Sequence, residues 1–178
     1  MRRVAKAAGV SIETVYAGFG SKGDLLAAVM DVAVVGDDLP VPLAQRDVAL
    51  MLGAGTREER VAKAASMSVA ISSRTCELVQ ALTQGSATDA LLAKRLAALD
   101  ERRRAQVADY FELVASRPAT GSELDEVWLL TSAEVFHLLV HRSGWTREQF
   151  EHWLAERLRG LVLGDPCDIP RHVKKVQR

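Results

Sequence analysis

Val4-Ala5-Lys6-Ala7-Ala8-Gly9-Val10-Ser11-Ile12-Glu13-Thr14-Val15-Tyr16-Ala17-Gly18-Phe19-Gly20-Ser21-Lys22-Gly23-Asp24-Leu25-Leu26 is the stretch on whose reading the fold turns. Val4, Ala5 and Ala8 fall at helical spacing, which predicts a helix that turns them inward and stops at Gly9. A residue without Cβ accepts the left-handed backbone that a tight turn needs there. Val10 is placed to fill the angle that follows. Ser11 has the hydroxyl of an N-cap, and the short helix it opens points Val15 and Phe19 back towards the first. Two short helices joined in this way make a helix-turn-helix, whose second member lies in the DNA major groove with its N-terminal residues against the base edges.

Outward from this stretch the chain of 178 residues reads as helix after helix, with no alternating strand pattern and no internal repeat. Periodicity predicts helices at 1–8, 12–18, 22–35, 43–53, 57–84, 88–116, 123–142 and 147–163. Five hydroxyl residues, each followed three positions on by an acid or amide, are candidate capping boxes: Ser21 with Asp24, Thr56 with Glu59, Ser86 with Asp89, Ser122 with Asp125, and Thr146 with Gln149. Pro40 and Pro42 mark a stiff connection, and Gly164, Pro166 and Pro170 close the folded part. The expected organisation is all-α: a head at 1–39, an antiparallel helical body for ligand binding and dimerisation at 40–164, and a mobile basic tail at 165–178 carrying Arg171, Lys174, Lys175 and Arg178.

Lys plus Arg number 23 and Asp plus Glu 23, so no global charge advertises a partner. The first thirty residues differ, setting Arg2, Arg3, Lys6 and Lys22 against Glu13 and Asp24. A basic end on a neutral chain fits a local phosphate contact, and equally an ordinary solvated face. Cys76 and Cys167 form neither a disulfide framework nor a metal-ligand spacing, which points to the cytoplasm. The longest apolar run, 25–35, is interrupted by Asp31 and is too short for a membrane span.

Along 57–84, Val61, Ala64, Ser68, Ile71, Thr75, Leu78 and Leu82 share one face, with Ala62, Ala65, Val69, Cys76 and Val79 beside it and Arg60, Lys63, Arg74 and Glu77 opposite. The segment 123–142 is apolar nearly all round and needs cover on both sides, for which a second subunit is the expected source. With it go Phe150, Trp153, Leu154, Leu158 and Leu161 on 147–163. The expected homodimer interface therefore comprises Phe136, Leu139, Phe150, Trp153, Leu154, Leu158 and Leu161.

Ser68, Ser72, Thr75 and Cys76 are small polar groups on an inward face, and Trp128 and Thr131 come from a helix expected to face them. Hydroxyls among aromatic and small groups make a candidate ligand pocket, or else a core whose hydroxyls bond their own helices. Glu134, His137 and His141 share a helix face but lack the order and the further ligands of a metal site, so no metal or cofactor is assigned. Asp100-Glu101-Arg102-Arg103-Arg104 reads as a solvated face with internal ion pairs. No nucleophile–base pair, phosphate loop or paired catalytic carboxylates mark an enzyme.

The opening stretch resembles the TetR family of transcription regulators, whose pattern runs apolar-Ala-x-x-Ala-Gly-Val-Ser and then Thr-apolar-Tyr-x-x-Phe-x-Ser-Lys-x-x-Leu. LacI-type sequences share Ala-Gly-Val-Ser and Thr-Val but place Ser next, so Tyr16, Phe19, Ser21, Lys22 and Leu25 discriminate. Leu130–Glu134, Leu138–Val140, Gly144-Trp145-Thr146 and Trp153-Leu154 resemble the family's last two helices. The resemblance implies a cytoplasmic, ligand-responsive repressor that binds double-stranded operator DNA as a homodimer and takes an unidentified small-molecule effector. It places Thr14, Tyr16 and Lys22 at phosphate contacts, with Arg2 beside them, and Ser11, Ile12, Glu13 and Ala17 on the exposed recognition helix. There Glu13 can accept from a cytosine amine and Ile12 or Ala17 can meet a thymine methyl, or Glu13 simply complements the helix dipole. Gly18 departs from the pattern, standing where the family commonly has His or another polar residue. Family members also carry a further helix upstream, whose absence is expected to leave Val4, Ala8, Val15 and Phe19 poorly covered; a start codon placed too late is favoured over a natural truncation. The alternative reading is a ligand-binding, dimerising protein that has lost DNA binding.

Overall fold

Most helix starts among the described residues are set by side chains that take over the amide groups a first turn leaves unpaired. The computed structural model describes residues 1–36 and 48–164. These form α1 (Arg2–Ala8), α2 (Ile12–Phe19), α3 (Lys22–Val35), α4 (Val48–Gly53), α5 (Arg57–Ser86), α6 (Ala90–Ala115), α7 (Gly121–Leu130), α8 (Ala133–Phe136), a π-helical turn (His137–Arg142) and α9 (Arg147–Leu163), so the described residues are all-α. Thr56 with Glu59, Thr120 with Glu123 and Thr146 with Gln149 close reciprocal capping boxes ahead of α5, α7 and α9. Ser21 caps α3 by accepting from the Asp24 amide at 3.1 Å. The basic tail at 165–178, the division at 39/40, Pro40, Pro42 and the first residues of the helix expected at 43–53 lie outside the described residues.

Two expected caps are displaced. Ser86 stays inside α5 and donates to the Thr83 carbonyl, while Asp89 itself caps α6 through the Leu91 and Leu92 amides. Ser122 yields to Thr120, because Arg117 holds Glu123 in place for the earlier box and Arg104 takes Asp125 into an ion pair. The single helix expected over 123–142 is broken at Thr131–Ser132. The Thr131 hydroxyl folds back on the Val127 carbonyl at 2.7 Å, and Arg103 of α6 binds both the Trp128 carbonyl and Thr131 Oγ1. Ser132 then starts α8 as its N-cap. The guanidinium thus takes the Trp128 carbonyl, which a continuing helix would have paired with the Ser132 amide, while the Thr131 hydroxyl shares the Val127 carbonyl with its own amide.

The long α5 lies against α3, α4, α6, α8 and α9. Its buried residues are Val61, Ala65, Val69, Ser72, Thr75, Cys76, Val79 and Leu82, a seam between the two expected stripes, while Ala62 is exposed. Phe136, Phe150 and Leu154 are fully buried with it, Leu158 and Val162 nearly so. Each such side chain contributes roughly 1.5–3 kcal/mol by leaving water. Four residues expected at a dimer interface, Phe136, Phe150, Leu154 and Leu158, are therefore spent on the chain's own core; Leu139, Trp153 and Leu161 stay half-exposed. The physical reason is that α8, freed by the break at Thr131–Ser132, and α9 both pack on α5, which takes up Phe136 from the one and Phe150, Leu154 and Leu158 from the other.

A half-buried ion pair fastens the turn between α6 and α7. Glu123 accepts from both Arg117 terminal nitrogens, at 2.6 and 3.0 Å, and from the Thr120 amide, while Arg117 also donates to the Leu161 carbonyl. The Arg117 guanidinium holds the Glu123 carboxyl down at about 2. A folded-state value below the unfolded one means stability that is present above the unfolded pKa and lost as pH falls towards 2. Glu123→Gln keeps the cap and removes the charge, so urea melts at pH 7 should show a loss of about 2 kcal/mol. The difference from the parent should shrink below about pH 4.3 and vanish near 2.

Candidate functional site

At the head, Gly9 adopts φ 67° and ψ 26°, and its amide and that of Val10 bond back to Lys6 and Ala5. This is the left-handed C-terminal cap the turn requires. Ser11 then caps α2, accepting from the Thr14 amide at 3.1 Å and lying 3.0 Å from Thr14 Oγ1. Ala5 and Val15 are the buried residues of α1 and α2. Val4, Val10 and Phe19, expected inward, are 41–43% exposed, and Ala8 is exposed as well. Helices of seven and eight residues meet over little more than one turn, which leaves room for one small side chain from each. Val15, expected to be poorly covered, is 5% exposed.

The burial of Val15 sets the orientation of everything else on α2. At ~100° per residue, Glu13 and Ala17 fall on the side opposite Val15, one turn apart, while Thr14 and Tyr16 flank that outward edge on either side. Glu13, Thr14, Ala17 and Tyr16 are exposed, Tyr16 by 47%, and Ile12 is half-buried. The Glu13 carboxyl is held below its ordinary range by its own backbone amide and then by the Ser11 hydroxyl. Arg2 and Lys22 are exposed in the first turns of α1 and α3, and Ser11 lies between them in sequence, exposed at its cap. A ridge with an acid and a methyl at its crest and hydroxyls on its flanks has the shape and chemistry to enter a groove between phosphates.

Three arginines of the body hold α3 and hence the head. Arg95 pairs with Asp24, and Arg102 with Asp31 at 2.9 Å. Arg74 donates to the Ala33 and Val34 carbonyls at 2.7 and 3.1 Å, closing the C-terminal end of α3. Gly23 is buried where α3 meets α6: a Cβ there would sit 3.3 Å from Leu91 and Arg95 side-chain atoms. The run 100–104 thus pairs outward, to α3 through Arg102 and to α7 through Arg104, and not within itself. Sequence reading missed these ties; the available signal was Asp31, an acid inside an apolar stretch that needs a cationic neighbour.

Inside the body, a cavity of about 70 Å³ is walled chiefly by apolar side chains, among them Met67, Val107, Phe111, Val127 and Leu158. Ser68 and Thr131, both expected at a pocket, line it. Ser72, Thr75, Cys76 and Trp128 do not: Thr75 bonds the Ile71 carbonyl, Cys76 lies 3.6 Å from His141 Nε2, and Trp128 lies beneath the Arg103 guanidinium, 5.3 Å from its ring centre. Tyr110, missed in the sequence, also lines the cavity, and its hydroxyl is buried without a partner among the described residues. Burial pulls the Arg103 pKa down while Glu134 and Asp100 oppose it, and burial pushes Asp100 up. His137 stacks on His141, and the described residues hold no group of three metal-ligating side chains.

Residues 1–29, which comprise α1, α2 and the first half of α3, match the family model described as bacterial regulatory proteins, tetR family. No curated protein and no solved structure matches the chain. Because Ser11 alone caps α2, Ser11→Ala should cost about 1 kcal/mol locally. Hydrogen exchange should show α2 amides losing about fivefold protection while α5 and α9 are unchanged.

Proposed function

We propose, proceeding from an N-terminal segment that belongs to the tetR family of bacterial regulatory proteins, that this chain is a ligand-responsive repressor acting as a homodimer on double-stranded operator DNA. The observation that carries the reading is the outward ridge of α2 with Thr14 and Tyr16 on its two flanks, opposite the buried Val15. Thr14, Tyr16, Lys22 and Arg2 supply the phosphate contacts that set register, and the crest of α2 meets the bases. The cavity walled by α5, α6, α7 and α9 takes a small, largely apolar effector, with Ser68, Tyr110 and Thr131 as its polar groups.

Coupling between cavity and head runs through α6. That helix carries Arg95 and Arg102, which hold α3, and Arg103, Val107, Tyr110 and Phe111, which border the cavity or clip Thr131. An effector that binds one placement of α6 more tightly than another biases the spacing of two heads in a dimer, and only that difference in affinity can do so. The second copy is expected on the apolar groups left partly open on the last helices, including Leu138, 48% exposed, and Trp153 and Leu161. No helix among the described residues is long and apolar enough to cross a membrane.

The alternative, a ligand-binding dimer without DNA affinity, draws on the exposed Val4, Val10 and Phe19 of the head. Selection from a random duplex pool decides between the two: the repressor reading expects specific sequences to be enriched, and the alternative expects none. Lys22→Ala should weaken binding to all sequences alike and lower the salt slope by about one unit. Light scattering should find the parent dimeric at micromolar concentration and Leu138→Glu a folded monomer with weaker operator binding. A monomeric parent with full operator affinity would refute the dimer. Ala64→Phe, which fills the cavity, should leave operator binding intact and abolish its response to small hydrocarbons such as toluene.

A further inference from the structure

We propose that the crest of α2 reads DNA by acceptor and methyl chemistry alone: the Glu13 carboxylate takes a hydrogen bond from a cytosine N4 amine, and Ala17 meets a thymine methyl. This rests on the reading above that α2 enters the major groove.

The residues of α2 are Ile12-Glu13-Thr14-Val15-Tyr16-Ala17-Gly18-Phe19. None is Arg, Lys, Asn, Gln or His. The side chains that commonly recognise purines, a bidentate Arg or Lys on guanine and a bidentate Asn or Gln on adenine, are absent from the helix. With Val15 buried, Glu13 and Ala17 stand farthest from the protein, and Thr14 and Tyr16 are turned towards the walls of the groove. Glu13 is exposed, and no residue of the body pairs with it among the described residues.

An ionised carboxylate can only accept hydrogen bonds. In the major groove guanine offers N7 and O6, both acceptors, and thymine offers O4, so each opposes it. Adenine sets its N6 donor beside the N7 acceptor. Cytosine presents its N4 donor alone and is the base that a carboxylate meets without repulsion. The same carboxylate is repelled by the phosphates, so Glu13 lowers affinity for every sequence and least for the one it reads. Specificity here is largely rejection of the wrong bases. Ala17 follows four residues later, ~6 Å along the helix, which corresponds to about two base steps. Its methyl, with Gly18 bare beside it, lets the α2 backbone come close enough to touch a thymine C5 methyl.

The test is selection from a random duplex pool by the full chain, its Glu13→Gln and its Glu13→Ala variant, followed by competition titrations on the selected site. The parent is expected to enrich a half-site with one cytosine preferred about tenfold over each other base. Glu13→Gln should move that position towards adenine, whose donor–acceptor pair suits an amide. Glu13→Ala should level it and bind non-specific DNA more tightly than the parent. Replacing the neighbouring thymine by uracil should weaken the parent severalfold and leave an Ala17→Gly variant unaffected. A cytosine preference that survives in Glu13→Ala, or a parent site with no such position, overturns the proposal while leaving DNA binding intact. Failure of the parent to enrich any sequence overturns it together with the reading it rests on.

Discussion

The uninterrupted helix Arg57–Ser86 is the part against which the rest of the molecule is placed. It touches α3 of the head and α4, α6, α8 and α9 of the body, and its buried seam from Val61 to Leu82 supplies most of one wall of the core. The seam carries small and β-branched residues such as Ala65, Val69 and Ser72, and Phe150 and Leu154 of α9, which packs on α5, are fully buried. A helix this long is held by tertiary packing more than by its own propensity, and burial along its length supplies that packing. The head is carried at one end of this assembly and the cavity lies beside it, so both inherit their position from the same element.

Arginine is the residue that joins these parts. Arg60 reaches the Leu113 carbonyl and Ser116, and Arg74 closes α3. Arg95 and Arg102 hold acids of the head; Arg103 clips the break between α7 and α8, and Arg117 locks the turn between α6 and α7 to α9. A planar guanidinium can serve a carbonyl and a second acceptor at once, which lysine cannot do in the same fixed geometry. The exposed pairs are each worth ~1 kcal/mol or less. Their effect is directional: several weak ties on one helix, α6, fix its orientation against α3 and α7.

The parts legible in the sequence were those whose causes are local. Gly9, Ser11 and the spacing of Val15 determine the turn and the direction of α2, and Thr56 and Thr146 carry both halves of their capping boxes. The parts that were not legible involve a choice between equivalent local options. Thr120 with Glu123 and Ser122 with Asp125 are equally good boxes on paper; Arg117 and Arg104 decide between them from another helix. The break at Thr131–Ser132 lies in an apolar run that periodicity reads as continuous, and the guanidinium that stabilises it comes from residue 103. Among the candidate pocket groups, Ser68 and Thr131 line the cavity and the rest are turned into the core or bonded to their own helix, a difference of side-chain direction that spacing alone does not carry.

The sequence by itself determined that the chain is helical, that its first thirty residues form a helix-turn-helix, and that α2 offers an acid, a methyl and flanking hydroxyls with no purine-reading side chain. Helical period, capping chemistry and a glycine that takes φ 67° without strain act over a few residues and need no knowledge of the rest. Only the tertiary structure decided which apolar side chains of the last helices are consumed by the core, and that Asp24 and Asp31 are anchored by α6. These depend on groups about 70 residues apart in the chain, whose meeting is set by how long helices pack and leaves no local trace.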